Sequence, residues 1–516
     1  MRNLAAEWCD LGNTKALAGI AAGAFVLCMG ARLAAQDRRH VTEPVIPPVC
    51  ARLEAKLYAA PDANGGHLNA ADETKLDTGR IQKAMDRCGA GKAVELSGST
   101  QKNAFLSGPL EMREGVGLLI DKGVTLYGSR DAAVYDAAGP GEPKKCGTSM
   151  PRPAAFPATA LAKARHGGCR PLISIGVHDA AILGEGTIDG RGYATILGKE
   201  YSWWQQSMRA KPHDDLYFNP RLIVADHADG LVLYKIHVVN SPNFHVAVNH
   251  TEGFTVWGVH LNTPVNKALI GTPNDARNTD GIDPGTSQDV TVAYSWIDNG
   301  DDNIAVKAGT SHMSVLHDHF YDGHGMSIGS ETTPGQSDLL VDDLTEDHTS
   351  SGIRIKSNVT RGGLVHDLTY RNVCMRDVPI PIAISPYYTN QTVEPFEDPH
   401  YSGDKIPEYK SIVLENIFSE TPGDVLIAGL NDEHRTQVLL DAVHIQGLKP
   451  QQVHLAYDDL TERVCSQFPL QPGTNLFEGV ALPATVTLHR GSGGQCGVVS
   501  HRRVADPCAG RFVPMQ

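Results

Sequence analysis

Positive charge, aromatic side chains and long apolar runs are all scarce in this 516-residue chain. Lysine and arginine number 45 against 59 aspartates and glutamates, a formal net charge of −14. That deficit argues against sequence-independent nucleic-acid binding, which needs a dense basic footprint. It also makes an anionic polymer a poor partner unless cations are gathered at one place. Apolar continuity is confined to ALAGIAAGAFVLCMG, from Ala16 to Gly30, shorter than the roughly 20 residues that span a bilayer. No two cysteines stand in CxxC spacing, which argues against a zinc site. Aromatics are 6% of the chain, while glycine numbers 52 and proline 31. With 41% hydrophobic residues, this is the composition of a folded, turn-rich protein and not of a disordered one.

The apolar run follows Lys15, and Leu33-Ala34-Ala35 offers a cleavage site before Gln36. Residues 1–35 therefore read as a signal peptide and the mature chain as secreted, without stable membrane association once the leader is gone. The leader is long and carries Glu7 and Asp10, so an uncleaved membrane anchor is the alternative. Loss of the leader removes Cys9 and Cys28 and leaves eight cysteines, an even number that reads as disulfides in an exported chain. Cys146 and Cys169 flank a Pro/Ala/Gly-rich loop that they are placed to staple. Cys465, Cys496 and Cys508 crowd the C-terminus, and Cys374 sits in a strand-like run that reads as core.

A chain of this length exceeds the usual single core, but a solenoid grows by adding coils. From Gly115 to Gly447 short runs of Val, Ile, Leu and Thr are closed again and again by Gly, Asn or Asp. Short strands with frequent turns also suit a sandwich or a propeller; the period decides. In NTDGID, GDDNIA and GHGMSI, Asp280, Asp302 and His324 fall 22 residues apart twice in succession. That is the length of a parallel β-helix coil and too short for a propeller blade. The expected fold is all-β, a single right-handed parallel β-helix over 111–490. A cap with the first coils precedes it at 36–110, including a helix in LDTGRIQKAMDRCG, and a tail follows at 491–516. Excursions at 130–170 and 193–220 are expected to wall one face. Trp203 and Trp204 in the second read as anchors for the loop, with sugar stacking the rival role.

Coils stack about 4.8 Å apart, so the 22-residue spacing puts Asp280 beneath Asp302 and Asp302 beneath His324. Asp301 adjoins Asp302 and diverges from it. Carboxylates crowded this way repel, and at least one is expected to keep a proton near neutral pH. A protonated acid beside ionised bases is what glycosidic hydrolysis requires. One coil further on, Arg354 and Lys356 alternate with Ile353 and Ile355, so both cations leave one face of a strand. They form a carboxylate-binding pair beside the acids. Asp283 and Asp289 read as turn caps. His312, His317 and His319 read as surface or packing residues, and Lys307 either lines the groove or stands outward as a solvated lysine.

NTDGIDPG, GDDNIAVK, GHGMSIGS and GIRIKS, in that order, resemble the signature motifs of polygalacturonases, glycoside hydrolase family 28, and GEGTIDGRG resembles a further family motif. The resemblance runs from about Gly184 to Tyr388 and is especially close to endopolygalacturonases of bacterial plant pathogens. It implies inverting hydrolysis of α-1,4-linked galacturonan in pectin by a monomer, with no metal or other cofactor. It implies Asp301 as general acid, Asp280 and Asp302 as the pair that activates water, and His324 as the residue that tunes the acid. Arg354 and Lys356 would grip the galacturonate carboxylate, with Tyr388 (or Tyr387 beside it) and Asn278 as further substrate contacts. Endo action is favoured over an exo-galacturonosidase or a rhamnogalacturonan hydrolase of the same fold. The more distant alternatives are a calcium-dependent pectate lyase and a non-catalytic β-helix binder, which would have no use for an Asp-Asp pair, a GHG and an RIK in coil register.

Overall fold

A computed structural model describes residues 41–152, 168–213, 215–388, 403–463, 476–491 and 508–515. The expected leader, Cys465 and Cys496 lie outside the described residues. The chain winds as a right-handed parallel β-helix. Among the described residues one parallel sheet has 11 strands and another 22. The larger sheet supplies two strands to each coil, such as Gln288–Ala293 and Trp296–Asn299, and the smaller sheet one, such as Ile282–Gly285.

The alternation of the strands explains the winding. Ile304, Met326, Ile353 and Ile382 are register partners in the 11-strand sheet, as are Val306, Ile328, Ile355 and Ile384 two places on. All eight are buried in one continuous core. Each such side chain contributes about 1.5–3 kcal/mol by leaving water, and an Asp at any one would cost more than that alone returns. Between them the outward column Ala305, Ser327, Arg354, Ala383 is small except at Arg354. The sheet is therefore a shallow floor from which a few long side chains rise.

The 22-residue spacing is one coil where Ile282 pairs with Ile304 and Ile304 with Met326. It is local: Met326 next pairs with Ile353, and Ile382 with Val425. The added residues enter at the two corners that flank the smaller sheet. From Val232 to Asp347 the third corner, between the two strands of the larger sheet, stays at two residues, whereas it has three at 184–186 and four at 121–124. Its first residue is left-handed in coil after coil: Lys235, Gly258, Tyr294, His317 and Asp343 have φ of 58°, 63°, 54°, 59° and 61°.

The helix Thr78–Met85 buries Ile81 and Met85 against the first coils. A second helix, Trp203–Ala210, sits in the 193–220 excursion and is opened by a capping box between Ser202 and Gln205. Trp203 and Trp204 are fully buried, and Trp204 Nε1 donates to the Ser241 carbonyl at 2.8 Å. They anchor the excursion and are not open to a sugar. Disulfides join Cys50 to Cys88, Cys146 to Cys169 and Cys374 to Cys508. Cys146–Cys169 is the expected staple. Cys374 is buried, as a core residue should be, yet it is also bonded, which the strand pattern around it gave no reason to expect. That bond pins the tail at 508–515, where Arg511 reaches Asp343 at 2.6 Å and Tyr321 donates to the Val513 carbonyl at 2.7 Å.

Candidate active site

The three aspartates occupy the turns that lead into the smaller sheet. Asp280 precedes Ile282–Gly285, Asp301 and Asp302 precede Ile304–Val306, and His324 precedes Met326–Gly329. Rungs from Gly281 N–H to the Asp302 carbonyl (2.9 Å) and from His324 N–H to the Asp301 carbonyl (2.9 Å) tie the turns together. Gly300 lets two of them close, since a Cβ there would run into the Ala276 carbonyl. The structure thus brings Asp280, Asp301, Asp302 and His324 into one cluster.

Asp302 is almost wholly buried and accepts from Arg354 Nη1 at 3.0 Å, Lys356 Nζ at 2.6 Å and Ser327 Oγ at 2.9 Å. Arg354 and Lys356 do rise from one strand face, but in this structure they hold Asp302 instead of facing an open subsite. Asp301 Oδ1 lies 3.1 Å from His324 Nδ1 and accepts from the Asp302 N–H at 3.0 Å. Asn278 donates to Asp301 Oδ2 at 3.3 Å and is itself held by the Tyr217 hydroxyl at 3.0 Å. The Tyr388 ring centroid stands 5.8 Å from the Arg354 guanidinium and 5.4 Å from Lys356 Nζ. Tyr387 turns away and donates to the Leu430 carbonyl at 2.9 Å.

Several supporting residues carry no motif that sequence reasoning singled out. Asn299 directs its amide at the carbonyls of Thr279, Asp301 and Asp302, at 2.8, 3.1 and 2.8 Å. Asn303 bonds Asn299 Oδ1 at 2.9 Å and accepts from Gly325 N–H at 2.7 Å. His245, fully buried, bridges the Asp280 carbonyl and Thr263 Oγ1 at 2.9 and 2.7 Å. The available signal was the pair of asparagines bracketing Gly-Asp-Asp. Asp283 departs from the expected turn cap: it is buried, and among the described residues neither carboxylate oxygen has a hydrogen-bond partner. Lys307 is half-buried, with Nζ 3.2 Å from the Gly329 carbonyl. His312 and His317 pair with Asp338 and Asp343 at 2.7 and 2.6 Å, away from the cluster.

Charge divides the acids. Burial, then Asp283 and Asp301, push Asp280 well above the carboxylate range. Asp283 is pushed up to about 7, mostly by burial. Burial is again the largest influence on Asp301 and Asp302 and pushes both up, but His324 with Lys211 and Lys356 together outweigh it at Asp301, and Lys356 and Arg354 with His324 together outweigh it at Asp302. Both are held below the usual range. Burial and the neighbouring carboxylates thus favour the protonated form of Asp280, while Asp301 is held toward the ionised form. The His324 imidazole beside Asp301 is the chief physical reason.

Donor atoms of Asp301, Asp302 and His324 lie within 4.8 Å of one another, but a cation there would meet Arg354 and Lys356 on the same carboxylate. An exposed group, Asp226, His227 and His250, has the same closeness and is hydrogen-bonded internally, His250 Nδ1 to Asp226 Oδ1 at 2.8 Å. The main cluster combines an acid pushed toward its neutral form, two held toward their ionised forms, an imidazole and two fixed cations, a set suited to acid–base cleavage of an acetal.

The family described as Glycosyl hydrolases family 28 matches residues 88–461. An endo-polygalacturonase of Pectobacterium parmentieri is 38% identical over 418 residues, 80% of this chain and 90% of that protein. One from Pectobacterium carotovorum subsp. carotovorum is 37% identical over 417 residues, with the same coverage. The solved structure of a polygalacturonase from Erwinia carotovora ssp. carotovora superposes with a TM-score of 0.67 at 35% identity, covering 81% of this chain and all of that one.

Proposed function

The chain belongs to glycosyl hydrolases family 28 and is a glycoside hydrolase, and from that premise we propose that it hydrolyses α-1,4-galacturonosidic bonds of de-esterified pectin, from within the polymer and with inversion. The observation that carries the proposal is the column of Asp280, Asp302 and His324 with Asp301 beside it, backed one strand on by Arg354 and Lys356. Similarity to endo-polygalacturonases across most of both chains supports the substrate and the internal mode of attack. Two cations on the floor answer the requirement that an acidic protein must gather positive charge to receive a polyanion.

In this mechanism Asp301 protonates the glycosidic oxygen, and Asp280 with Asp302 activates the attacking water. A proton that burial favours on Asp280 has to be on Asp301 when the bond breaks. A bound galacturonate supplies the drive: its carboxylate draws on Lys356 and Arg354 and adds negative charge, which raises proton affinity at Asp301. Asp280, relieved of the proton, is then a base. His324 sets the balance from 3.1 Å. Asn278 orients the acid, and Tyr388 borders the cationic pair. Asp280 and Asp302 approach a sugar from the same side, one coil apart, while Asp301 diverges, leaving room for the water that inversion requires.

We propose further that residues 1–35 export the chain, in keeping with its disulfides, and that it works as a monomer without a metal. No helix among the described residues is long and apolar enough to cross a membrane.

Proton NMR of fresh digests tests the chemistry: the β-anomer of the new reducing end should accumulate first, and initial α-anomer would overturn the three-aspartate assignment. Asp301→Asn should fold normally and lose roughly 10²–10⁴-fold in kcat; a variant keeping a tenth of turnover would sink the acid. A fast fall in viscosity relative to reducing ends released marks endo action, and a slow one exo action. Chelator should leave the rate unchanged, and no unsaturated, ultraviolet-absorbing product should form.

A further inference from the structure

We infer that Arg221 anchors the carboxylate of a galacturonate unit bound two coils to the N-terminal side of Asp280, an inference that rests on the hydrolase reading above. Strand register fixes the place. Val246 pairs with Ile223 on one side and Ile282 on the other, so Arg221, Phe244 and Asp280 stand in one column two positions earlier. Leu222 N–H bonds the Phe244 carbonyl at 3.1 Å and His245 N–H the Asp280 carbonyl at 2.9 Å, which are the rungs of that column. With a coil rise of about 4.8 Å, Arg221 lies about 10 Å along the axis from Asp280. A polymer laid along the axis through the catalytic cluster passes over it.

The guanidinium is oriented and uncommitted. It lies over the Phe244 ring, 4.7 Å from the centroid, a contact that holds the guanidinium by its face and uses none of its N–H donors. Among the described residues it makes no ion pair, and its Nε is buried without a hydrogen-bond partner. The cations beside the catalytic turns are engaged: Arg354 and Lys356 by Asp302, Lys307 by the Gly329 carbonyl. A half-buried guanidinium without a counter-ion is costly, and burial draws Arg221 down to about 10, which still leaves it charged. The acids nearest to it in charge, Asp283 and Asp280, are themselves pushed toward the neutral form, so neither cancels it. A planar carboxylate matches the guanidinium in shape and charge; a methyl ester or a neutral sugar does not.

Arg221→Gln and Arg221→Lys, assayed beside the parent on long-chain polygalacturonate and on end-labelled oligogalacturonates, test this. Arg221→Gln should raise KM about tenfold, with the larger part of the effect in KM and not in kcat, and should shift which bond of the labelled oligomer is cut. Arg221→Lys should recover part of the KM, and added salt should weaken the parent more than Arg221→Gln. If Arg221 only packs on Phe244, the melting temperature falls while KM and cut pattern stay as in the parent, and that result overturns the inference. Should Arg221→Gln not fold, oligomers carrying one methyl-esterified unit settle it on the parent alone. Esterification two to three units from the cut bond should weaken binding about tenfold, and indifference to it overturns the inference. A parent inactive on all galacturonans overturns the hydrolase reading together with this one; an active parent whose cut pattern ignores Arg221 overturns this one alone.

Discussion

Lys356 donates to the carboxylate of Asp302 at 2.6 Å, so its removal alters the base as well as the pocket. Lys356→Ala should lower kcat and raise KM together. The acid limb of the pH profile of kcat/KM should move to higher pH, because Asp302 loses the cation that holds it below the usual range. A change in KM alone would show that the lysine serves only the substrate. The residue types at this site were legible in the sequence because four motifs return in coil order, and Asp280, Asp302 and His324 share one register column as their spacing implies. What was not legible is which carboxylate keeps the proton. That depends on burial and on the direction of His324, which spacing does not contain. Asp283 was missed for a related reason. An aspartate in Ile-Asp-Pro-Gly looks like a turn cap until the register sets Ile282 inward and Asp283 outward beside Ala247 on the floor.

Among elements, the catalytic turns depend on Asn299, whose amide bonds three carbonyls at once. Asn299→Ala should cost about 1–3 kcal/mol through buried carbonyls left unpaired. It should also lower kcat, since the turns that carry Asp280 and Asp302 would no longer be fixed against one another. Calorimetry and turnover measured on the same sample check both; a variant with full stability and full activity would remove Asn299 from this role. The tail at 508–515 is the second case. Cys508→Ser should cost about 2–5 kcal/mol and expose the tail to limited proteolysis. Arg511, through Asp343 and the carbonyls of Leu344 and Asn372, and Tyr321, through the Val513 carbonyl, would then have to hold it. The cap helix and the winding of the strands were readable from periodicity. The tail was not, because Cys374 and Cys508 are 134 residues apart and nothing local reports a partner at that distance.

At the scale of the whole molecule, the buried acids set the response to pH. Asp189, Asp283 and Asp298 are raised to about 7, Asp318 and Glu346 to about 8, and Asp458 to about 9, in each case chiefly by burial. Unfolded, they ionise near pH 4. As pH climbs from 4 toward 9 the unfolded chain sheds protons that the folded one keeps, and stability declines across that window. Within the acidic part of that window His245, drawn down to about 4 by burial, acts the other way and favours the unfolded chain as pH falls from about 6.5 toward 4. Asp301 and Asp302 add stability above pH 4 that is lost as pH drops through their lowered folded values. The melting temperature should therefore peak in mildly acidic buffer and be lower at pH 8.5 than at pH 5; a steady rise between those values would contradict the burial of these acids. The two-residue corner with its left-handed first position has a consequence of another kind, for how such a chain tolerates change. In the coils from Val232 to Asp347 length varies only at the corners beside the floor, so loops there can be exchanged to admit a different polymer while the metric of the floor is untouched. Deleting one residue at Tyr294-Ser295 has the opposite character: it inverts the inside and outside of the strand that follows, and the chain has no nearby slack in which to absorb the error.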